Sequence, residues 1–174
     1  MIIGLLSDTH SLIDKPLITN LQDCDEIWHA GDIGSFEVLD TLKKICLTRA
    51  VSGNVDDQLM RREIPPDQIF FTGEMKVWMT HIGGYPGRYD KRVREQLQSV
   101  KPDILICGHS HILKIVRDDK NGLLYINPGA AGIFGIHKYR TLVKMEIVKG
   151  KINKMKVIEL SKEKLSQIEI KKIT

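Results

Sequence analysis

Short apolar runs that end abruptly in Asp, Asn, His and Gly recur along this chain, and they restrict its fold more than any other feature. Residues 2–6 run into Asp8-Thr9-His10, residues 26–30 into Gly31-Asp32, and residues 47–51 into Gly53-Asn54. Residues 76–80 run into His81, and residues 103–107 into Gly108-His109-Ser110-His111. Continuous apolar runs of this length, residues 2–6 above all, read as strands buried on both faces. Helical patterns separate the first three. Asp14 with Pro16 opens a helix carrying Leu17, Ile18 and Leu21, and Ser35 caps one whose Val38, Leu39, Leu42, Ile45 and Cys46 form a stripe. A βαβαβ order of this kind builds a parallel sheet, and the polar motifs at its strand ends can then meet in space.

The second half reads differently. Residues 68–72 and 76–80 flank a turn at Gly73-Glu74, and Asp90 opens a helix with Val93, Leu97 and Val100 on one face, stopped by Pro102. Residues 113–117 and 123–126 flank Asn121-Gly122, and residues 139–148 and 152–160 flank Lys149-Gly150, which are two hairpin signals. The expectation is one α/β (α+β) domain over residues 1–174, with 161–174 as a C-terminal tail forming a short helix or strand, or fraying. A chain of 174 residues buries roughly 70% of its surface on folding, so it needs no disulfide staple. Trp28 and Trp78 read as core, and Cys24, Cys46 and Cys107 as reduced residues in a cytoplasmic protein. No apolar run spans a membrane, and residues 1–6 are too short for a signal-peptide core. The net charge of +4 is spread over residues such as Lys144, Lys149, Lys151, Lys154 and Lys156. With no concentrated basic block, nucleic acid is not an expected partner.

The candidate ligands are Asp8, His10, Asp32, Asn54, His81, His109 and His111. Asp8 and His10 sit two apart, as do His109 and His111, so each pair would face one way on a strand. These groups are too many for one tetrahedral ion. With one carboxylate bridging, they supply four protein ligands to each of two ions. Two ions roughly 3.5–4 Å apart are a recurrent device for in-line displacement at phosphorus, in which a bridging hydroxide attacks. Carboxylate, amide and imidazole without thiolate suits manganese, iron, zinc, nickel or cobalt, with manganese the first choice.

As an ordered set, these motifs resemble the calcineurin-like metallophosphoesterase superfamily, and the short chain with Asn127-Pro128-Gly129 is similar to its small prokaryotic phosphodiesterases of the YfcE type. The resemblance implies a four-layer α/β/β/α sandwich of two mixed sheets. It implies that Asp8, His10 and His111 hold one divalent ion, that Asn54, His81 and His109 hold the other, and that Asp32 bridges. It also implies that Asp32, Asn54 and His81 carry the catalysis of phosphoester, most of all phosphodiester, hydrolysis on a small substrate. A phosphomonoesterase, a nucleotide pyrophosphatase or a non-enzymatic scaffold on the same fold are the alternatives, and self-association is left open. Two positions depart from the family pattern. Val55 and Gly83 stand where many members carry His. Without a positioned acid, turnover is expected to lean on the two ions and to favour good leaving groups.

Other residues carry weaker expectations. The glycine-rich loop at residues 83–89 makes Tyr85 and Arg88 candidates, with Asn54, for substrate binding. His29 reads as a buried histidine that supports a ligand, not as a ligand. Asp56 either orients a ligand or is a turn residue, His137 is a surface loop residue, and the loop at Asn127 is a tight turn near the site.

Overall fold

The computed structural model describes residues 1–161, and the tail expected from residue 161 onward lies almost wholly outside them. In chain order the elements are β1 (Ile2–Leu6), α1 (Lys15–Leu21), β2 (Glu26–His29), α2 (Phe36–Ile45), β3 (Leu47–Ala50), α3 (Gln58–Glu63), β4 (Asp67–Thr72) and β5 (Met75–Thr80). There follow β6 (Gly84–Tyr85), β7 (Arg88–Tyr89), α4 (Lys91–Val100), β8 (Ile104–Ile106), β9 (Lys114–Asp118), β10 (Leu123–Asn127), β11 (Arg140–Val148) and β12 (Lys151–Leu160).

Two five-stranded sheets result, ordered β12-β11-β1-β2-β3 and β4-β5-β8-β10-β9. Both are mixed. β1 is parallel to β2 and antiparallel to β11, while β8 is parallel to both β5 and β10. Alternation along the central strands sorts side chains between layers. Ile3 and Leu5 of β1 meet Val77 and Met79 of β5 and Ile104 and Ile106 of β8 between the sheets. Leu6 packs outward with Leu17 and Leu21 of α1, Leu42 of α2 and Met60 of α3. Trp78 and Leu105 face the other way, against Val93 and Leu97 of α4. The architecture is the expected α/β/β/α sandwich. Trp28 and Trp78 are both fully buried, and among the described residues no helix is long and apolar enough to cross a membrane.

Local chemistry explains most boundaries and corrects some expectations. The Asp14 carboxylate accepts the Leu17 N–H and so caps α1. Ser35 occupies the cap position of α2 in extended backbone, but its side chain makes no capping bond. The helix α3 was not expected. It is six residues long with one buried side chain, Met60, too short to show a period. The glycine-rich loop at residues 83–89 contains the small hairpin β6–β7. Cys46 is only half-buried, unlike Cys24 and Cys107.

Arg140 at the start of β11 anchors the first sheet to its helices. Its side chain is 1% exposed, makes a two-pronged ion pair with Asp14 at 2.8 and 3.0 Å, and donates from Nε to the Ala131 carbonyl at 2.6 Å. Removing the guanidinium strands a largely buried carboxylate. Arg140→Ala is therefore expected to cost about 3–5 kcal/mol, read as a fall in the urea midpoint at constant slope.

Candidate metal centre

The motifs lie beyond the carboxyl ends of their strands, and the backbone there is unusual. Asp8, His10, Asp32, His109 and His111 all have positive φ, between 48° and 66°. This left-handed region is sparsely occupied by residues other than glycine and costs free energy that surrounding structure must offset. The two-apart spacing thus works differently from the expected strand pleat. Left-handed turns, not alternation, aim Asp8 with His10 and His109 with His111.

A mesh of hydrogen bonds holds these turns. Asp8 N donates to Gly31 O at 2.9 Å, and His10 N to Asp32 O at 3.1 Å. The Asp8 carboxylate accepts the His109 N–H at 3.2 Å to each oxygen. Buried His29 accepts the Gly31 N–H at Nδ1, and its Nε2 bonds the Thr9 hydroxyl at 2.8 Å, tying together the segments that carry Asp8 and Asp32. Burial is the main cause that pushes the His29 pKa down to about 3, so the ring is neutral. Asp56, buried, accepts the N–H groups of Gly34 and Gly53 at 2.7 Å each. It orients the loops that carry ligands, not a ligand side chain. Asn127 donates to Gly108 O at 2.7 Å and accepts the Gly129 N–H, bracing the loop of His109 and His111.

Glycine is required at two of these turns by close approach. A Cβ on Gly53 would lie 2.0 Å from Asp32 Oδ1, and one on Gly108 would lie 2.0 Å from Ser7 Oγ and 3.0 Å from Asp8 Oδ2. At Gly53 the space a side chain would fill is occupied by Asp32, and at Gly108 chiefly by Ser7 and the Ala30 carbonyl.

Two groups of donor atoms converge. Asp8, His10 and His111 form one, and Asp32, His81 and His109 the other, with the atoms of each group within 4.8 Å of one another. His10 Nε2 and His111 Nε2 are 3.3 Å apart, and His111 Nε2 lies 3.3 Å from Asp8 Oδ1. His81 Nε2 lies 3.2 Å from Asp32 Oδ2 and 4.0 Å from Asp8 Oδ1, which links the two groups. The donors fit divalent cations. His81 Nδ1 bonds the Ala30 carbonyl at 2.8 Å, which fixes the ring and turns Nε2 inward, where it is buried and has no hydrogen-bond partner among the described residues. Asn54 is exposed and lines a cleft beside His81.

A model of the calcineurin-like phosphoesterase superfamily domain matches residues 1–150. The chain belongs to the calcineurin-like phosphoesterase superfamily. A probable metallophosphoesterase of Methanocaldococcus jannaschii is 32% identical over 136 residues, covering 75% of this chain and 68% of that protein. Among solved structures, Vps29 of Entamoeba histolytica complexed with Zn²⁺ superposes with a TM-score of 0.71 at 18% identity, covering 92% of this chain and 98% of that one. An archaeal phosphodiesterase gives 0.67 at 22% identity, covering 92% and 100%. The superfamily consists of divalent-metal-dependent phosphoesterases, and the convergent carboxylates and imidazoles here are candidate ligands for such ions.

Not every expected residue reaches this centre of the phosphoesterase domain. Tyr85 lies on β6 with the Lys114 ammonium 4.2 Å from its ring centroid, and Arg88 of β7 lines a separate depression with Tyr89 and Asp118. The Gly84–Tyr89 pairing and the bonds from Tyr125 Oη to Gly84 O and from Asp90 N to Gly83 O hold this hairpin. The cleft beside His81 is lined instead by Arg61 and Arg92. Arg61 sits on the unanticipated α3, and Arg92 on the polar face of α4, where periodicity carries no signal. His137 is half-buried, not a plain surface residue. Its Nε2 bonds Gly132 O at 3.0 Å and its ring stands 5.3 Å from that of His111.

Charge balance in the metal-free centre sets its pH response. Burial opposes protonation of His81, but Asp32 and Asp8 outweigh it and raise its pKa. The Asp8 hydrogen bond raises that of His111 against a smaller opposing effect of burial. Raised imidazoles stabilise the metal-free fold fully below their ordinary value, about 6.5, and that stabilisation is lost as pH rises through the higher folded values. Divalent ions compete with the same protons. The increase in melting temperature on adding Mn²⁺ is therefore expected to be larger at about pH 8 than at about pH 6, and thermal scans with and without metal at the two pH values check it.

Proposed function

We propose that this phosphoesterase is a binuclear metal-dependent phosphodiesterase. Asp8, His10 and His111 would hold one ion, Asn54, His81 and His109 the other, and Asp32 both. One Asp32 oxygen accepts the Val55 N–H at 2.9 Å while the other faces His81, so the carboxylate cannot swing away. Burial opposes its ionisation, yet His81 and the Val55 N–H outweigh burial and hold its carboxyl below the ordinary range. It is an anion ready to accept cations. When bound, divalent ions, with manganese the first choice, would supply positive charge for the phosphate oxygens and a nucleophilic water at neutral pH.

The observation that carries the diester reading is that candidate ligands line two depressions. On one side lies a cleft of about 440 Å³ lined by Asn54, Arg61, Pro66, His81, Ile82 and Arg92. On the other lies one of about 310 Å³ lined by His109, His111, Ile112, Ile136 and His137. His81 lines the first and His109 the second, and their rings are 5.3 Å apart. A diester carries an organic group on each side of phosphorus, and each depression can receive one. A monoester would leave one side empty. A second reading, partner binding at this face, is favoured by the exposed Ile112, Phe134 and Ile136 beside the His111 depression.

In Mn²⁺, the protein is expected to hydrolyse bis(4-nitrophenyl) phosphate faster than 4-nitrophenyl phosphate by about tenfold or more, a barrier difference of ~1.4 kcal/mol. Equal rates would remove the diester preference, and no hydrolysis of either by metal-loaded protein would favour the partner-binding reading. Asp32→Ala is expected to abolish turnover of both esters, checked beside its metal content; near-normal turnover with metal retained would refute the shared-ligand role.

A further inference from the structure

We propose that Arg61 is a phosphate-binding residue, whose guanidinium receives the non-bridging oxygens of the substrate phosphate at the Asn54 side of the centre; this rests on the phosphodiesterase reading. The need for such a group arises from two neighbouring positions. Val55 offers only a backbone N–H, already given to Asp32. Gly83 has no room for a side chain, since a Cβ there would lie 2.2 Å from Cys107 Sγ. Neither position can present a polar side chain to an anion.

Two cations line the cleft beside His81, and they differ in what already holds them. Arg92 is engaged. Its Nη1 pairs with Asp67 at 2.7 Å and its Nη2 donates to the Thr80 hydroxyl at 2.7 Å. Arg61 makes no ion pair among the described residues, and the one hydrogen bond of its side chain there runs from Nη2 to the Asn54 carbonyl. A guanidinium has five N–H donors in a planar fork, so most of those of Arg61 remain for an anion, in the geometry that suits phosphate.

The backbone of Arg61 is also held in place, although its side chain is exposed. The Asp57 side chain accepts the Met60 N–H at 2.8 Å, and Arg61 N donates to Asp57 O at 3.0 Å. Met60 is fully buried in the helix-side core. The backbone of Arg61 is thus fixed by the residue before it, and its side chain leans across the loop that carries Asn54. An anion bound there finds a guanidinium tethered at one nitrogen by the Asn54 carbonyl.

A merely structural role, bracing the Asn54 loop through its carbonyl, predicts a different response to substitution. Arg61→Gln keeps an N–H donor for that carbonyl and removes the charge, while Arg61→Lys keeps the charge and removes the fork. The test uses the full chain loaded with Mn²⁺, measuring kcat and KM on bis(4-nitrophenyl) phosphate, inhibition by inorganic phosphate, and metal content. Arg61→Ala and Arg61→Gln should each lower kcat/KM and weaken phosphate inhibition by about 10- to 100-fold with metal content unchanged, and Arg61→Lys should recover part of the loss. Wild-type behaviour of Arg61→Gln, or loss of metal in Arg61→Ala, would overturn the proposal. Calorimetric titration of inorganic phosphate reads Arg61 without turnover. If the wild type binds phosphate but cleaves no ester, and Arg61→Ala loses that binding, the phosphodiesterase reading fails while the role of Arg61 stands.

Discussion

Two contacts at the centre join the two sheets in functional register: the Asp8 carboxylate accepting the backbone N–H of His109, and the His81 ring bonding the Ala30 carbonyl. Asp8 follows β1 in the first sheet, and His109 follows β8 in the second. The inter-sheet core, in which Ile3 and Leu5 meet Ile104 and Ile106, brings those two strand ends close. Ser7, Ala30 and Gly108 fill the remaining space so tightly that no Cβ fits at Gly108. Apolar packing between the sheets therefore sets the distance between candidate ligands that are a hundred residues apart in the chain. A change in that packing would be felt at the centre before it was felt at the edges of either sheet.

The left-handed backbone at Asp8, His10, Asp32, His109 and His111 is the cost of that arrangement. Each such residue is held at an expense of about 1–3 kcal/mol. Buried groups with no reach to an ion supply the restraint. His29 joins Thr9 to Gly31, Asp56 joins Gly34 to Gly53, and Asn127 joins Gly108 to Gly129. In each case one polar side chain links two loops that belong to different strand ends. The frame of the centre is thus made by bonds within the protein that do not involve the candidate ligand atoms of the imidazoles.

What could be read from the residues follows from which forces leave a local trace. β1, β5 and β8 leave apolar runs because both their faces are buried, and the polar motifs that end them are visible as breaks in those runs. The order of Asp8, His10, Asp32, Asn54, His81, His109 and His111 was legible for the same reason. The left-handed turns that aim these residues were not. Asp and His are only somewhat favoured at positive φ, and that bias does not locate a turn whose restraint comes from a partner twenty or a hundred residues away. Arg61 was invisible because α3 is shorter than two helical turns, and its direction depends on Asp57 and Met60 together. For Tyr85 and Arg88 the residues showed a glycine-rich loop after His81 but not the β6–β7 pairing or the Tyr125 hydroxyl bond that shape it into a hairpin. His137 approaches His111 only because the chain returns through the residue 132–139 loop before β11.

The gap at Gly83 is a consequence of packing and not of drift at one position. Cys107 ends the run from β8, and burial pushes its thiol far above the ordinary range, so it stays a neutral apolar filler. It occupies the volume that a side chain at residue 83 would need. A single substitution at Gly83 cannot install an imidazole there without displacing Cys107 from the core against α4. Val55 is constrained less tightly, since its side chain is exposed and only its N–H is used. The two departures from the family pattern are thus unequal. One is locked by the sandwich, and the other lies on a loop free to vary. On the proposed reading, chemistry at this centre would rely on charge from bound ions and from cations such as Arg61 more than on proton donation from a positioned imidazole.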